Sequence, residues 1–172
     1  MRFEVVQHLH APIDEVEKAL VDPRFLETLG GLPKLGRPEL IEQRDDGDGI
    51  FQRVRYDFEG ALSPGVRAFI DPAKLSWVEE STQDRKTHTT TIAIVPDYYT
   101  SIFECSGLIG LTTDRVSGAT VRTAIGDVIV RVPLVGSRAE AAIISGLHDH
   151  AALEADALDD WVAAEQERRS TG

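Results

Sequence analysis

The sequence predicts an α+β fold in which a curved antiparallel sheet grips a long C-terminal helix. A strand pattern over 121–132 stops at 133–136 and leads directly into a long amphipathic helical pattern. At the other end of the chain, a strand over 2–10 leads into a helix that opens at Pro12. Only antiparallel-looking strands lie between these two helical regions. A sheet that grips a helix tends to enclose a cavity, which indicates a small-molecule ligand.

The first strand and the helices that follow it have clear local signals. Residues 2–10 alternate between apolar and polar side chains, as a half-buried strand does. After Pro12, two acidic residues stand in the first turn of a helix, where they favour the helix dipole. Asp22 and Pro23 are expected to cap a second short helix that ends near Leu29. A loop rich in glycine and proline is predicted over 30–36.

Six further strands are expected, which brings the sheet to seven. The clearest is 50–58, where apolar residues alternate with charged ones and a polar turn joins it to a weaker strand before it. Glycines 107, 110 and 126 are interpreted as points where the strands bend. The other predicted segments are strands at 40–44, 74–81, 86–95, 102–113 and 119–132, and a short helical excursion over the sheet edge within 61–73.

The chain has no internal repeat, low-complexity segment or linker, so one domain is expected. Its 172 residues suffice to bury about two-thirds of the unfolded surface. The predicted domain runs over 1–166, and a frayed polar tail over 167–172.

The last helix carries a charge on its apolar face. The segment that begins at Ser137 and contains Glu140 fits a capping box at the start of this helix. Further along, Glu154 projects into the sector occupied by leucine, isoleucine and valine residues. An isolated buried carboxylate is very costly. Glu154 therefore either pairs with Arg122 or Arg131 of the neighbouring strand, lies at the margin of the stripe, or lines a pocket, and the sequence leaves these alternatives open.

Composition excludes several classes of function. A net charge of −11 argues against nucleic acid and anionic membrane surfaces as partners, and solubility is the simplest reason for it. No apolar run approaches the roughly 20 residues of a membrane-spanning helix, so stable membrane insertion is not expected. An apolar signal core is lacking at the N-terminus, which favours a cytoplasmic location. Cys105 is the only cysteine, which rules out an intramolecular disulfide and fits a reducing compartment.

Motifs for metal, cofactor and nucleophilic chemistry are missing. The pairs His8/His10 and His148/His150 are interpreted as surface histidines rather than metal ligands. Cys105 lies mid-strand among apolar residues, as a small core residue does. There is no Gly-x-Ser-x-Gly elbow, Walker pattern or dinucleotide fingerprint. The sequence therefore assigns no catalytic residue, no metal and no cofactor.

Several of these segments resemble one superfamily. The opening strand, the Ala11-Pro12 entry, the helix end at 21–23 and Phe25 are similar to the start of START-like proteins (polyketide cyclase/dehydrase and lipid transport, helix-grip, Bet v 1-like). Residues 133–136, with Glu140 and Glu154, resemble an uncharacterised actinobacterial family within it. The resemblance implies a helix-grip fold of seven antiparallel strands around the C-terminal helix, with an apolar pocket between them. Members of the superfamily bind lipids, sterols or polyketides, some are cyclases or aromatases, and no catalytic residue is common to all.

The candidate site is the space between the sheet and the last helix. Tyr56 is the strongest single candidate, because it lies on the apolar face of its strand and has a hydroxyl that could orient a ligand. Glu154 would be the second polar contact, and 30–36 and 96–99 would form the entrance. The predicted ligand-binding residues are Val54, Tyr56, Phe58, Trp77, Tyr99, Phe103, Ile143, Leu147, Ala151 and Glu154.

The sequence and the resemblance are compatible with three functions. The first is reversible binding, with transport or sequestration as its use, of a hydrophobic or amphipathic molecule such as a lipid or polyketide-like compound. The second, ranked lower because the sequence offers no convergent acid–base pair, is a cyclase or aromatase in which Glu154 or a histidine moves a proton. The third is a protein-interaction module. A monomer and a homodimer both remain open, as do the ligand and the size of the cavity.

Overall fold

The computed structural model of the protein describes residues 1–171, which form one seven-stranded sheet and four α-helices. The strands are β1 (Arg2–Leu9), β2 (Glu39–Asp45), β3 (Gly49–Asp57), β4 (Ser76–Asp84), β5 (Thr89–Pro96), β6 (Phe103–Thr113) and β7 (Thr120–Val130). The helices are α1 (Ile13–Leu20), α2 (Pro23–Thr28), α3 (Pro64–Arg67) and α4 (Gly136–Ser170). Two 3₁₀ turns, Leu29–Gly31 and Pro72–Lys74, complete the elements. The predicted α+β helix-grip fold is confirmed.

The sheet is a meander closed at one edge by the first strand. Its order is β1-β7-β6-β5-β4-β3-β2, and every neighbouring pair is antiparallel. The helices α1 and α2 carry the chain from one edge of the sheet to the other. Because side chains alternate along a strand, this register fixes which residues share the face that looks toward α4. We call this face the concave face.

The best-packed core lies at one end of the molecule. Val16 of α1 and Phe25 of α2 are almost completely buried against Leu158 and Val162 in the second half of α4. The predicted cap of α2 is confirmed, since the carboxylate of Asp22 accepts a hydrogen bond of 2.8 Å from the Arg24 amide. This core holds the C-terminal half of α4 in place, and the contacts of α4 with the sheet are to β1 and β7.

The predicted capping box at the start of α4 is wrong. The chain leaves β7, turns through Leu134 in a left-handed conformation (φ 66°), and begins the helix at Gly136 with no side-chain cap. Ser137 therefore already lies inside the first turn. Glu140 instead turns back to the sheet, where its carboxylate accepts a hydrogen bond of 2.9 Å from the Val130 amide. The carboxylate ties the helix to the end of β7.

The C-terminal boundary also differs from the prediction. Helix α4 continues through Ser170, so residues 167–170 of the predicted frayed tail are helical. Two contacts support this last turn: Arg169 bonds Glu15 of α1 at 3.0 Å, and the Arg168 guanidinium lies over the Trp161 ring. Gly172 lies outside the described residues. None of the helices in 1–171 combines the length and apolarity needed to cross a membrane.

Helix α4 covers only part of the sheet. It packs on β1 and β7, and on α1 and α2 at the core end. Within residues 1–171 it makes no comparably extensive contact with β2 to β6. The closest approach of α4 to the sheet is therefore along β1 and β7.

Replacing Gly126 by alanine should destabilise the protein by roughly 1–3 kcal/mol, because the site is overpacked by any side chain. Gly126 pairs directly with Gly107, and a Cβ there would meet the Ser106 carbonyl and stand 2.7 Å from the Phe3 ring. The matched control is Gly110→Ala, where a Cβ meets nothing within 4 Å and unfolding should change little. Urea denaturation measures both, and equal effects of the two variants would contradict the prediction.

Candidate functional site

The concave face brings most of the predicted strand residues together. Val54 pairs with Glu79, and Tyr56 pairs with Trp77, so these four side chains lie on one face of β3 and β4. The register then runs from Glu79 to Ile94, from Ile94 to Cys105 and from Cys105 to Val128. Phe103 shares the face with Cys105, two residues away.

Some apolar side chains on strands β4 to β6 remain partly accessible to solvent. Trp77, Ile94 and Phe103 are half-buried, whereas Val128 on β7 is fully buried and Val54 is 6% exposed. Ile143, Leu147 and Ala151 on α4 are likewise half-buried. These apolar side chains of α4 and of strands β4 to β6 are therefore not completely hidden from water by the fold.

An ion pair joins α4 to the sheet beside this surface. Arg122 of β7 donates through Nη1 to Glu154 Oε2 at 2.6 Å and to Gln7 Oε1 at 3.1 Å. Gln7 in turn donates to the Ala151 carbonyl. Of the alternatives left open for Glu154, pairing with Arg122 is therefore the one observed. Arg131 is exposed and pairs with Glu104 at 2.8 Å instead.

The ion pair keeps Glu154 charged. Burial acts to raise the pKa of this carboxyl and is the largest single influence on it. The charges of Arg122 and His150 and the hydrogen bonds from Arg122 and Gln7 together outweigh burial, so the pKa of Glu154 lies below its usual value. Its negative charge is thus largely balanced by Arg122.

A second carboxyl, Glu79, was missed by the sequence reasoning. Burial, and secondarily the negative charge of Glu154, raise its pKa from 4.5 to about 7, while Arg122 acts in the opposite direction. Within residues 1–171 its side chain forms no hydrogen bond or ion pair. A usable signal existed, because Glu79 stands two residues after Trp77 in a strand whose concave face is otherwise apolar or uncharged. That parity argument becomes decisive only once the register with Tyr56 is known.

Tyr56 and Trp77 form an aromatic wall beside Glu79. Their rings stack with centroids 5.9 Å apart and planes at 19°. Burial, followed by the charges of Glu79 and Glu154, raises the pKa of the Tyr56 phenol well above its usual value. The phenol therefore keeps its proton and remains available as a hydrogen-bond donor.

The interpretation of all four paired histidines as surface residues is wrong for His150. Its ring is half-buried beside Glu154, whereas His8, His10 and His148 are exposed. Two buried side-chain atoms of residues 1–171 lack a hydrogen-bond partner, His150 Nδ1 and Arg122 Nε, and both belong to neighbours of Glu154. Unsatisfied buried polar atoms are rare in folded proteins, so their concentration here marks this region as unusual.

Cys105 behaves as the sequence indicated. Its side chain lies on the concave face, and burial, with smaller contributions from Glu79 and Asp127, raises the pKa of the thiol to about 11. A thiol with this pKa is protonated at neutral pH and is a poor nucleophile.

The remaining predicted residues stand at the margins of the concave face. Tyr99 adopts a left-handed conformation (φ 62°), and its hydroxyl accepts a hydrogen bond of 2.9 Å from the Asp71 amide. Its hydroxyl is thus engaged with the segment before β4. Phe58 follows β3 and forms an isolated bridge with Leu35 in the predicted entrance loop. The same loop reaches α4 through Lys34, whose Nζ lies 3.1 Å from a carboxylate oxygen of Asp149.

A separate hollow lies away from this chemistry. It has a volume of about 500 Å³, is open to solvent and is lined by residues 130–134, 136, 137 and 140 at the junction of β7 and α4. None of the ten predicted ligand-binding residues lines it. The concave face, where the buried charges and aromatic rings converge, remains the candidate site.

Comparison with known proteins identifies the family. Residues 4–162 match the sequence profile of the family described as "Protein of unknown function (DUF2505)". The chain belongs to this family. No curated protein matches the sequence.

Solved structures share the fold at low sequence identity. The protein TTHA0849 from Thermus thermophilus has a TM-score of 0.67 and 16% identity, over 96% of this chain and 99% of that one. The Zhui aromatase/cyclase from Streptomyces sp. R1128 has a TM-score of 0.59 and 18% identity, over 99% and 95%. A norcoclaurine synthase point mutant from Thalictrum flavum, in complex with a transition-state analogue, has a TM-score of 0.63 and 16% identity, over 96% and 96%. These likenesses show that the fold is shared, while the START-like superfamily and the actinobacterial origin stay predictions.

Proposed function

We propose that the protein reversibly binds a hydrophobic or amphipathic small molecule between the concave face and α4. The observation that carries this proposal is the half-buried apolar surface of Trp77, Ile94 and Phe103, on strands that α4 does not contact as extensively as β1 and β7. Covering such surface contributes roughly 25 cal/mol per Å² before the costs of association. An apolar ligand would cover the part of these three side chains that remains exposed to water in the folded chain.

The polar contacts are assigned differently from the sequence prediction. Glu154 was expected to hold the ligand, but its carboxylate is already bound by Arg122 at 2.6 Å. Tyr56 keeps its predicted role as a donor, and Glu79 takes the second polar position. Glu154 then contributes indirectly, by holding α4 on the sheet next to the ligand.

The fold is compatible with such a role in other proteins. Zhui is an aromatase/cyclase, and the norcoclaurine synthase of Thalictrum flavum was solved with a transition-state analogue bound. At 16–18% identity these structures show the fold alone, so their chemistry is not transferred to this chain. The proposal rests on the half-buried apolar surface of Trp77, Ile94 and Phe103.

Binding should be visible in the fluorescence of Trp77. An uncharged amphiphile such as 1-decanol would displace water from its ring and shift its emission to shorter wavelength. Trp161 packs on Phe25 with ring centroids 5.9 Å apart, in the core shared by α1, α2 and α4, and should not respond. Titration of Trp161→Phe, which retains Trp77, should show the shift. Titration of Trp77→Phe, which retains Trp161, should not.

The two variants control for each other, because each removes one tryptophan and leaves the other as the reporter. Equal shifts in both would indicate non-specific adsorption. A chain that shows no shift with 1-decanol and also carries no co-purifying molecule in native mass spectra would contradict the proposal.

One ionisable group in the structure supports the cyclase or aromatase alternative. Glu79, with its pKa near 7 and Tyr56 on the neighbouring strand, is an ionisable group suited to proton transfer at neutral pH, which the sequence reasoning did not find. Recovery of a ligand unchanged by mass spectrometry after incubation separates binding from turnover. The interaction-module alternative gains no comparable support.

A further inference from the structure

We infer that the ligand carries an ammonium group, which the carboxylate of Glu79 binds beside the Tyr56–Trp77 wall. This inference rests on the proposed function, since it names the chemical class of the same ligand. It specifies the ligand group that Glu79 contacts.

The charges that face the site leave one carboxylate uncompensated. Arg122 of β7 balances Glu154 of α4 through a contact of 2.6 Å. Within the described part of the chain, 1–171, the concave side chains of the other strands include no second cation. Near Glu79, β3 contributes the Tyr56 phenol, β6 the Cys105 thiol, and β1 and β5 the uncharged Gln7, Ile92 and Ile94. His150 of α4 is the remaining ionisable neighbour; its charge lowers the pKa of Glu154, whereas burial, Glu154 and Arg122 set the pKa of Glu79. Glu79 is therefore the carboxylate of this region that has no ion-pair partner among residues 1–171.

The position of Glu79 suits a cation for a second reason. It follows Trp77 by two residues on the same face of β4, which places the two side chains roughly 7 Å apart along the strand. The Tyr56 and Trp77 rings stack at 5.9 Å, and the faces of aromatic rings attract cations. A carboxylate next to a tryptophan and a tyrosine offers an ammonium group both an ion pair and a cation–π contact.

An anionic ligand group fits the same site poorly. The Nη1 atom of Arg122 already serves Glu154 and Gln7, and its Nε, although unpartnered, is buried within a side chain that is only 9% exposed. A ligand carboxylate would therefore stand beside Glu79 and Glu154 without a free cation to bind. The net charge of −11 adds a long-range field that attracts cations and repels anions.

Three probes with one tail test the inference: decylamine, 1-decanol and decanoate, each below the concentration at which it aggregates. Dissociation constants are measured at pH 8 by calorimetry and by Trp77 emission. At this pH an alkylamine is protonated, and Glu79, with a pKa of about 7, is mostly ionised. We expect decylamine to bind at least ~10-fold more tightly than decanoate, with 1-decanol between them, as one charge-assisted contact allows.

The variant Glu79→Gln keeps the shape of the side chain and removes its charge. It should weaken decylamine binding by roughly tenfold and change the affinity for 1-decanol less than about twofold. Glu80→Gln is the matched control, because Glu80 is the next residue of β4, lies on the opposite face and pairs with Arg53 at 3.0 Å. Glu80→Gln should leave all three affinities unchanged.

The outcomes separate the inference from the proposed function. Equal binding of the three probes, or tighter binding of decanoate, overturns the ammonium assignment and leaves the binding function intact. Tighter binding of 1-decanol than of decylamine would indicate that Glu79 binds a hydroxyl group of the ligand. This outcome also overturns the ammonium assignment. If none of the probes binds, the proposed function fails together with the inference. The comparison of decylamine with decanoate uses the wild-type protein, so it stands even if Glu79→Gln does not fold.

Discussion

Replacing Arg122 by methionine should lower the free energy of unfolding by about 3–5 kcal/mol. The change leaves the Glu154 carboxylate on the covered part of the sheet without its cation, and leaves Gln7 without the donor at 3.1 Å. Breaking one side of a buried ion pair is this costly because the remaining charge is neither hydrated nor balanced. Urea or thermal denaturation at neutral pH measures the loss.

The control for Arg122→Met is Arg131→Met. Arg131 also pairs with a glutamate, Glu104 at 2.8 Å, but both side chains are about half exposed, at 49% and 57%. Exposed pairs contribute about 0–1 kcal/mol, so this variant should unfold almost as the wild type does. The double variant Arg122→Met, Glu154→Leu should recover most of the loss, because it removes both charges at once. A single-variant loss below about 1 kcal/mol would show that the Arg122–Glu154 pair is effectively solvated.

Glu79 should make the protein less stable as the pH rises from about 4.5 to 7. Its pKa is 4.5 when freely solvated and about 7 in the folded protein, so the folded state holds the proton more tightly than the unfolded state does. The stabilisation from this group is fully present below pH 4.5 and is lost as the pH rises through 7. At about 1.36 kcal/mol for each pH unit, the interval corresponds to about 3 kcal/mol.

The measurement compares wild type with Glu79→Gln across the pH range. Glutamine cannot ionise, so the variant should gain about 3 kcal/mol relative to wild type between pH 4 and pH 8. The comparison is needed because Glu154 acts in the opposite direction: its pKa is lowered in the folded state, so its contribution is lost on acidification. Glu80→Gln, on the other face of β4, should show no such trend. A pH-independent difference between wild type and Glu79→Gln would contradict the burial of Glu79.

The order and type of the elements could be predicted from the sequence. Alternating residues in β3 and helical spacing in the last helix are signals that each segment carries by itself, and the structure confirms seven strands and the long α4. The cap at Asp22 is equally local and is also observed. The capping-box prediction was wrong because the helix begins at Gly136 and the Glu140 carboxylate accepts its hydrogen bond from Val130 of β7, a contact that a local pattern does not include.

A site residue could be predicted where the alternation along its own strand shows which face of the sheet it occupies. Tyr56 lies on the concave face as its alternation indicated, and Arg122 was one of two partners considered for Glu154. Glu79 and His150 were missed for the same reason: an ionisable residue in a mixed sequence is by default exposed. Their burial depends on what lies opposite them. The parity of Glu79 with Trp77 was a local hint, but it becomes decisive only with the register between β3 and β4.

The sequence by itself therefore determined the α+β architecture, the strand parities and the presence of a carboxylate on the apolar face of the last helix. Only the tertiary structure decided that Arg122 neutralises this carboxylate, that Glu79 has no ion-pair partner among residues 1–171, and that α4 approaches the sheet most closely along β1 and β7. The physical reason is that periodicity is set by each segment's own geometry. Charge balance and exposure are instead set by side chains brought together from strands and helices far apart in the chain.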